Sequence, residues 1–169
     1  NALLLNDGPG GWREVGFLLG AGSQRDGRSV VTADFDADGR PDILISERHW
    51  DFKTGLTLPH VRLLANRLEP EGGWIGAHLQ GAPGRSPVGA VVTVRAGKRV
   101  WRHWVLTGDS LAAQHPFTAH FGFGKIEAVD SLEVRWPDGC VTHLTKPPTG
   151  KYHILSAAQA KLEKASKGQ

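Results

Sequence analysis

Four carboxylates crowd into nine residues in Asp34-Phe35-Asp36-Ala37-Asp38-Gly39-Arg40-Pro41-Asp42, at positions 1, 3, 5 and 9 of the run. Alternating side chains of this kind converge on a hard cation. Gly39 permits the tight turn between them, and the Arg40 carbonyl supplies a position-7 ligand. Calcium is the ion expected, because it accepts several oxygen ligands at loose geometry, with Asp34, Asp36, Asp38, Arg40 and Asp42 as the set. Position 12 is Ile45 rather than the Glu of an EF-hand, and both flanks, Val30-Val31-Thr32 and Ile43-Leu44-Ile45, are β-branched and apolar. The loop therefore joins two strands. A solvated acidic turn is the plainer reading, but it accounts poorly for four Asp in register with a turn glycine. The ion is expected to hold structure, since one short loop supplies all its side chains and no water-activating base stands nearby in sequence.

Other groups that can do chemistry are weaker candidates. Eight His are present, but no H-x-H, H-E-x-x-H or C-x-x-C unit links them. His78, His120 and His143 alternate with apolar neighbours and are expected on exposed strand faces. Asp109, Ser110 and His115 contain the letters of a catalytic triad without a nucleophile elbow or oxyanion loop. Cys140 is the single cysteine, so an internal disulfide is excluded. These absences argue against an enzyme, with a hydrolase or metalloenzyme built on the His set as the least favoured class.

Six Trp remain to be placed. Trp74 and Trp136 are expected in a core. Trp101 and Trp104 fall on opposite faces of one strand, and Trp50 is read as lying in a loop beside His49 and Asp51. Trp50, Trp101 and Trp104 are therefore the candidate interaction surface. Exposed Trp near Arg suits a protein interface, and exposed Trp also stacks on sugars, so a carbohydrate-binding module is the alternative.

The elements that must position these residues are short strands. Twenty-two Gly, ten Pro and few helix-forming runs favour an all-β fold, and 169 residues suffice for one good core with a smaller appended element. Residues 1–60 carry six Lys/Arg against nine Asp/Glu, and the remainder fourteen against eight, so two segments of different character adjoin. The basic residues are dispersed, and no nucleic acid partner is expected. No run approaches the roughly 20 apolar residues of a membrane span. The chain opens without Met inside an apolar run, which reads as a processed or truncated start. The sequence Glu69-Pro70-Glu71-Gly72-Gly73 is the natural boundary. It separates residues 1–68, a calcium-hairpin unit, from residues 69–156, where strict alternation such as Leu132, Val134 and Trp136 against Glu133 and Arg135 predicts a β-sandwich. Residues 157–169 are expected to form a short helix or tail.

The first part resembles an FG-GAP or VCBS repeat, the calcium-loop blade of integrin-type β-propellers. The resemblance is carried by Asn6-Asp7-Gly8, Arg28-Ser29-Val30, the acidic loop with Ile43-Leu44-Ile45, and Leu63-Leu64-Ala65-Asn66-Arg67. The second part, about residues 66–155, resembles an ASPIC/UnbV domain through Trp74-Ile75-Gly76, Leu79-Gln80-Gly81, residues 88–94, His120-Phe121-Gly122-Phe123-Gly124 and residues 129–139. It departs from that pattern at Arg85-Ser86-Pro87-Val88 and Thr107-Gly108-Asp109-Ser110-Leu111. The pair of resemblances implies a non-enzymatic, secreted or periplasmic calcium-binding module that mediates protein interaction. Such a module would be the C-terminal part of a propeller protein or an accessory subunit docked on a larger complex.

Overall fold

The computed structural model describes residues 2–69 and 72–162. Its regular structure is almost entirely strand, as the composition favours, with 51% of residues in strands and 4% helical, and it divides into two compact units. The first comprises residues 1–36, 41–67 and 108–114; the second comprises residues 37–40, 68–107 and 115–169. Pro70 and Glu71, inside the expected boundary, lie outside the described residues.

In the first unit, β1 (Leu4–Asn6) and β2 (Trp12–Glu14) pair antiparallel, Leu5 opposite Arg13. A three-stranded antiparallel sheet follows, β3 (Asp26–Ala33), β4 (Asp42–Asp51) and β5 (Leu56–Leu64), with β4 central. A bulge between Gly27 and Ser29 sets the β3 register at Val31 opposite Leu44. The buried residues of this unit include Val15, Ala21 and Ile45 together with the charged Asp42 and Glu47. Burying a charge is stable only when it is paired. Glu47 meets that condition: Arg62 Nε donates to its Oε2 at 3.1 Å and Nη2 to its Oε1 at 2.9 Å. The same guanidinium reaches the carbonyls of Gly20 at 2.9 Å and Ala21 at 3.1 Å, tying the loop after β2 to the sheet. Glu47 was not singled out in the sequence. Its partner lies fifteen positions away on the neighbouring strand, and only the register brings the two onto one face.

The second unit is a two-sheet sandwich. One sheet has the order β13-β11-β10-β7-β8, from β7 (Val91–Ala96), β8 (Arg99–Trp104), β10 (Ser131–Arg135), β11 (Cys140–Thr145) and β13 (Lys161–Leu162). The other has the order β12-β6-β9, from β6 (Gly73–Gln80), β9 (Thr118–Gly124) and β12 (Tyr152–Ser156), with β12 parallel to β6. Alternation does what it predicts: Val92, Val94, Leu132, Val134 and Trp136 from one sheet meet Ile75, Ala77, Leu79, Phe121 and Phe123 from the other. Each fully buried large aliphatic or aromatic side chain contributes about 1.5–3 kcal/mol. Trp136 is anchored further by Nε1 donating to Thr142 Oγ1 at 2.9 Å.

The helix expected at the C-terminal end is present only as one 3-10 turn, Ala157–Gln159, capped by Ser156 Oγ accepting from the Ala158 N–H. Lys161 and Leu162 then pair with Val141 and Cys140 as β13. Cross-strand pairing outweighs the helix propensity of an Ala- and Lys-rich stretch. The rest of that expected helix or tail, residues 163–169, lies outside the described residues.

Candidate metal centre

Asp34 and Asp42 stand where β3 leaves off and β4 begins, so the loop joins two paired strands, as its flanks indicated. Ala37 at φ 58° and Gly39 at φ 88° take the left-handed conformation that turns the chain between them. A Cβ added to Gly39 would lie 2.5 Å from the Trp74 indole carbons, so the ring packs directly on the glycine. Glycine is required there twice over, by backbone conformation and by space.

Asp34, Asp36 and Asp42 each offer a carboxylate oxygen, and these three oxygens lie within 4.8 Å of one another. That spacing fits a shared calcium ion, whose ligands at 2.3–2.6 Å set ligand oxygens no more than about 5 Å apart. Among the described residues this is the one group of three metal-binding side chains, and no His joins it. Asp42 is 1% exposed, and its oxygens accept the Phe35 N–H at 2.9 Å and the Asn66 N–H at 2.7 Å. It thus fastens the loop to the end of the sheet whether or not an ion is present. Asp36 accepts from Arg67 Nη1 at 2.9 Å.

Asp38 and Arg40 are turned toward each other. The Arg40 backbone N–H reaches Asp38 Oδ1 at 2.9 Å, Nε reaches Oδ2 at 2.9 Å, and Nη2 makes a further contact. Sequence spacing suggested all four carboxylates as one set; the structure groups three and gives Asp38 an Arg two residues away. Arg40 was singled out for its carbonyl, and its guanidinium is the part that takes part in the loop. A hard cation with oxygen-only ligands and no adjacent base can stiffen the loop; no reaction step is built from these residues.

The three Trp of the candidate surface separate. Trp104 is 55% exposed on the outer face of the five-stranded sheet, in one row with Val91 and Arg135. Trp101, three residues earlier, faces inward, half-buried against the core with its ring 6.1 Å from Phe123. Trp50 is 51% exposed and lies in β4 rather than in a loop, because the strand pairs on through Asp51 opposite Leu56. The hairpin tip beyond it is ordered by Asp51, which accepts from Thr54 Oγ1 at 2.7 Å and the Lys53 N–H at 2.9 Å. Those bonds, Thr54 foremost, hold the Asp51 carboxyl below the ordinary carboxylate range.

Two side-chain groupings escaped the sequence reading. On the outer face of the three-stranded sheet, Trp74 stacks on His120 at 5.1 Å, and Tyr152 lies 4.9 Å from Trp74 and 4.4 Å from His78. Tyr152 Oη meets His120 Nδ1 at 3.0 Å, and its ring covers Gly76, where a Cβ would fall 2.1 Å from it. His78 is exposed as expected, but His120 is half-buried in this stack. Period-2 alternation put these residues on one face, yet the parallel pairing of β12 with β6 that brings Tyr152 over Gly76 has no local signal. The second is Ser110, whose Oγ accepts the Val30 N–H at 3.1 Å and so caps the edge strand β3.

A search of curated proteins finds no match for the chain. The model of the family described as ASPIC and UnbV matches residues 80–162. The matched span begins at the last residue of β6 and runs through β13, so the second part of the chain is similar to the ASPIC and UnbV family.

Proposed function

We propose that the chain is a non-enzymatic, extracytoplasmic calcium-binding module that mediates protein interaction. The observation that carries the metal reading is the convergence of Asp34, Asp36 and Asp42 oxygens within 4.8 Å at a turn held by a left-handed glycine. Asp38 and the Arg40 carbonyl complete the ligand set in this reading, with Asp38 exchanging its guanidinium partner for the ion. Extracellular calcium modules bind at about 0.1–1 mM. Millimolar calcium then adds on the order of 1–2 kcal/mol to the stability of the loop and its sheet.

The interaction reading is supported by apolar surface. On the first unit Phe17 is 87% exposed, and Leu56, Leu58, Val61 and Leu63 along β5 are exposed as well. Val61 and Leu63 lie on one face of β5 and Leu56 and Leu58 on the other, and exposed apolar pairs of this kind suit contact sites. On the second unit Trp104 shares its face with Arg102 and Arg135, the residue types that dominate binding energy at interfaces. The ASPIC and UnbV domain is of a non-enzymatic type found in extracellular and surface proteins, which fits a secreted or periplasmic module.

The test is calcium titration followed by thermal unfolding and native mass spectrometry, before and after chelation, on the wild type and Asp36→Ala. One bound calcium and a raised midpoint that Asp36→Ala abolishes support the metal reading. A midpoint indifferent to calcium in the wild type refutes it. Recovery in a larger assembly that Trp104→Ala weakens supports the interaction reading, and a lone monomer at all concentrations counts against it.

A further inference from the structure

The first unit holds a cavity of about 730 Å³, walled by residues 22–26 ahead of β3 and by Arg48, His49, Trp50, Phe52 and Arg62. Its charge is unbalanced. Arg62 is committed to Glu47 and to the Gly20 and Ala21 carbonyls, and Asp26 pairs with Arg28 at 2.5 Å. Arg25 lies 3.9 Å from Glu47, whose carboxylate is already held twice by Arg62. Arg48 has no ion pair among the described residues. The lining thus carries Arg25, Arg48 and Arg62 against the carboxylate of Asp26, with Glu47 held beneath by Arg62 and Arg25, and its excess charge is positive.

Beside those cations stand two aromatic rings, Trp50 at 51% and Phe52 at 89% exposure, on a hairpin tip fixed by the Asp51 bonds to Thr54 and Lys53. Ser23 and Gln24 add hydroxyl and amide groups to the opposite wall. Cations beside exposed rings and neutral hydrogen-bonding groups are the complement of a molecule that carries an anionic group, an apolar ring face and hydroxyls together. The volume is that of a small-molecule site. A bare apolar ligand would leave the guanidinium groups desolvated without compensation, and a bare anion would make no use of the rings.

We propose that this cavity binds an acidic sugar, one bearing carboxylate or sulfate, with Arg48 and Arg25 taking the anionic group and Trp50 and Phe52 the ring face. The site goes beyond the calcium reading and shares no residue with it.

Isothermal titration with a sulfated glycosaminoglycan tetrasaccharide, a uronate tetrasaccharide, neutral cellotetraose and inorganic sulfate tests it, in calcium and again with chelator so that the metal reading can fail separately. The acidic tetrasaccharides are expected to bind and cellotetraose not to. Arg48→Ala is expected to weaken binding about 10-fold or more, and Trp50→Ala several-fold. Arg99→Ala, on the second unit, serves as a charge control and is expected to leave sugar binding unchanged. Phe52→Ala, the most exposed of the set, guards against misfolding of the others, with circular dichroism as the check on each variant. The proposal is overturned if no acidic tetrasaccharide binds, if cellotetraose binds equally, if inorganic sulfate binds as tightly as the sugars, or if Arg48→Ala and Arg99→Ala have equal effects.

Discussion

The guanidinium of Arg67 donates to Asp36 at 2.9 Å, so a cation of the chain already engages a carboxylate proposed to hold calcium. Two cations at one carboxylate compete, and the competition is electrostatic. Because Arg67 is largely exposed, its hold is modest. Replacing it with Gln is expected to tighten calcium binding by about two- to fivefold. Calorimetric titration of Arg67→Gln against wild type checks this, and the gain is expected to shrink in high salt.

Asp34 and Asp42 are both proposed ligands, but Asp42 also accepts two backbone N–H groups while almost fully buried. Asp42→Asn is expected to lower stability by about 1–3 kcal/mol even in chelator, since one N–H then faces an amide donor. Asp34→Asn is expected to remove the calcium response and leave the chelated midpoint nearly unchanged. Denaturant curves of the two variants, with and without calcium, separate fastening from liganding.

Gly39 and Gly139 both take the left-handed conformation, at φ 88° and 81°. A Cβ at Gly139 meets nothing within 4 Å, whereas at Gly39 it strikes the Trp74 ring. Gly139→Ala therefore carries only the backbone penalty, of about 1–2 kcal/mol. Gly39→Ala is expected to exceed it clearly, and to shift Trp fluorescence by displacing Trp74. Equal losses would mean that the indole yields freely.

Asp138 and Cys140 give the sandwich a pH signature. The Cys140 N–H donates to Asp138 Oδ1 at 2.9 Å, and this bond, with Arg85 nearby, holds the Asp138 carboxyl below its ordinary range. A depressed carboxylate contributes stability that is complete above its unfolded value, about 3.9, and is lost as pH falls through the folded value. Asp138→Asn is expected to flatten that acid limb and to leave stability at neutral pH little changed, as melts across an acid pH series would reveal. The Cys140 thiol is pushed up by burial and then by the Asp138 hydrogen bond and charge. Alkylation by iodoacetamide near neutral pH is therefore expected to wait for unfolding of the second unit.

The sandwich strands were legible because each keeps a strict two-residue alternation with one buried face, which fixes register as well as type. The acidic loop was legible because Asp, Gly and β-branched flanks have local meanings. What could not be read depends on which strand lies beside which. Glu47 finds Arg62 only across β4 and β5, Tyr152 covers Gly76 only through a parallel pairing, and Lys161 joins a sheet in spite of its helical neighbours. Trp50 was taken for a loop residue because His49, Trp50 and Asp51 lack alternation, whereas pairing with β5 extends the strand through them.

Residues 108–114 count with the first unit, and Ser110 closes the edge of β3 from there. During synthesis, therefore, the opening portion of the chain waits with that strand edge uncovered until residues 68–107, all of them belonging to its neighbour, have left the ribosome. A fragment ending at Arg67 lacks the same cover for good, so the gene offers no single cut that yields both halves intact, and the order of manufacture ties their fates together.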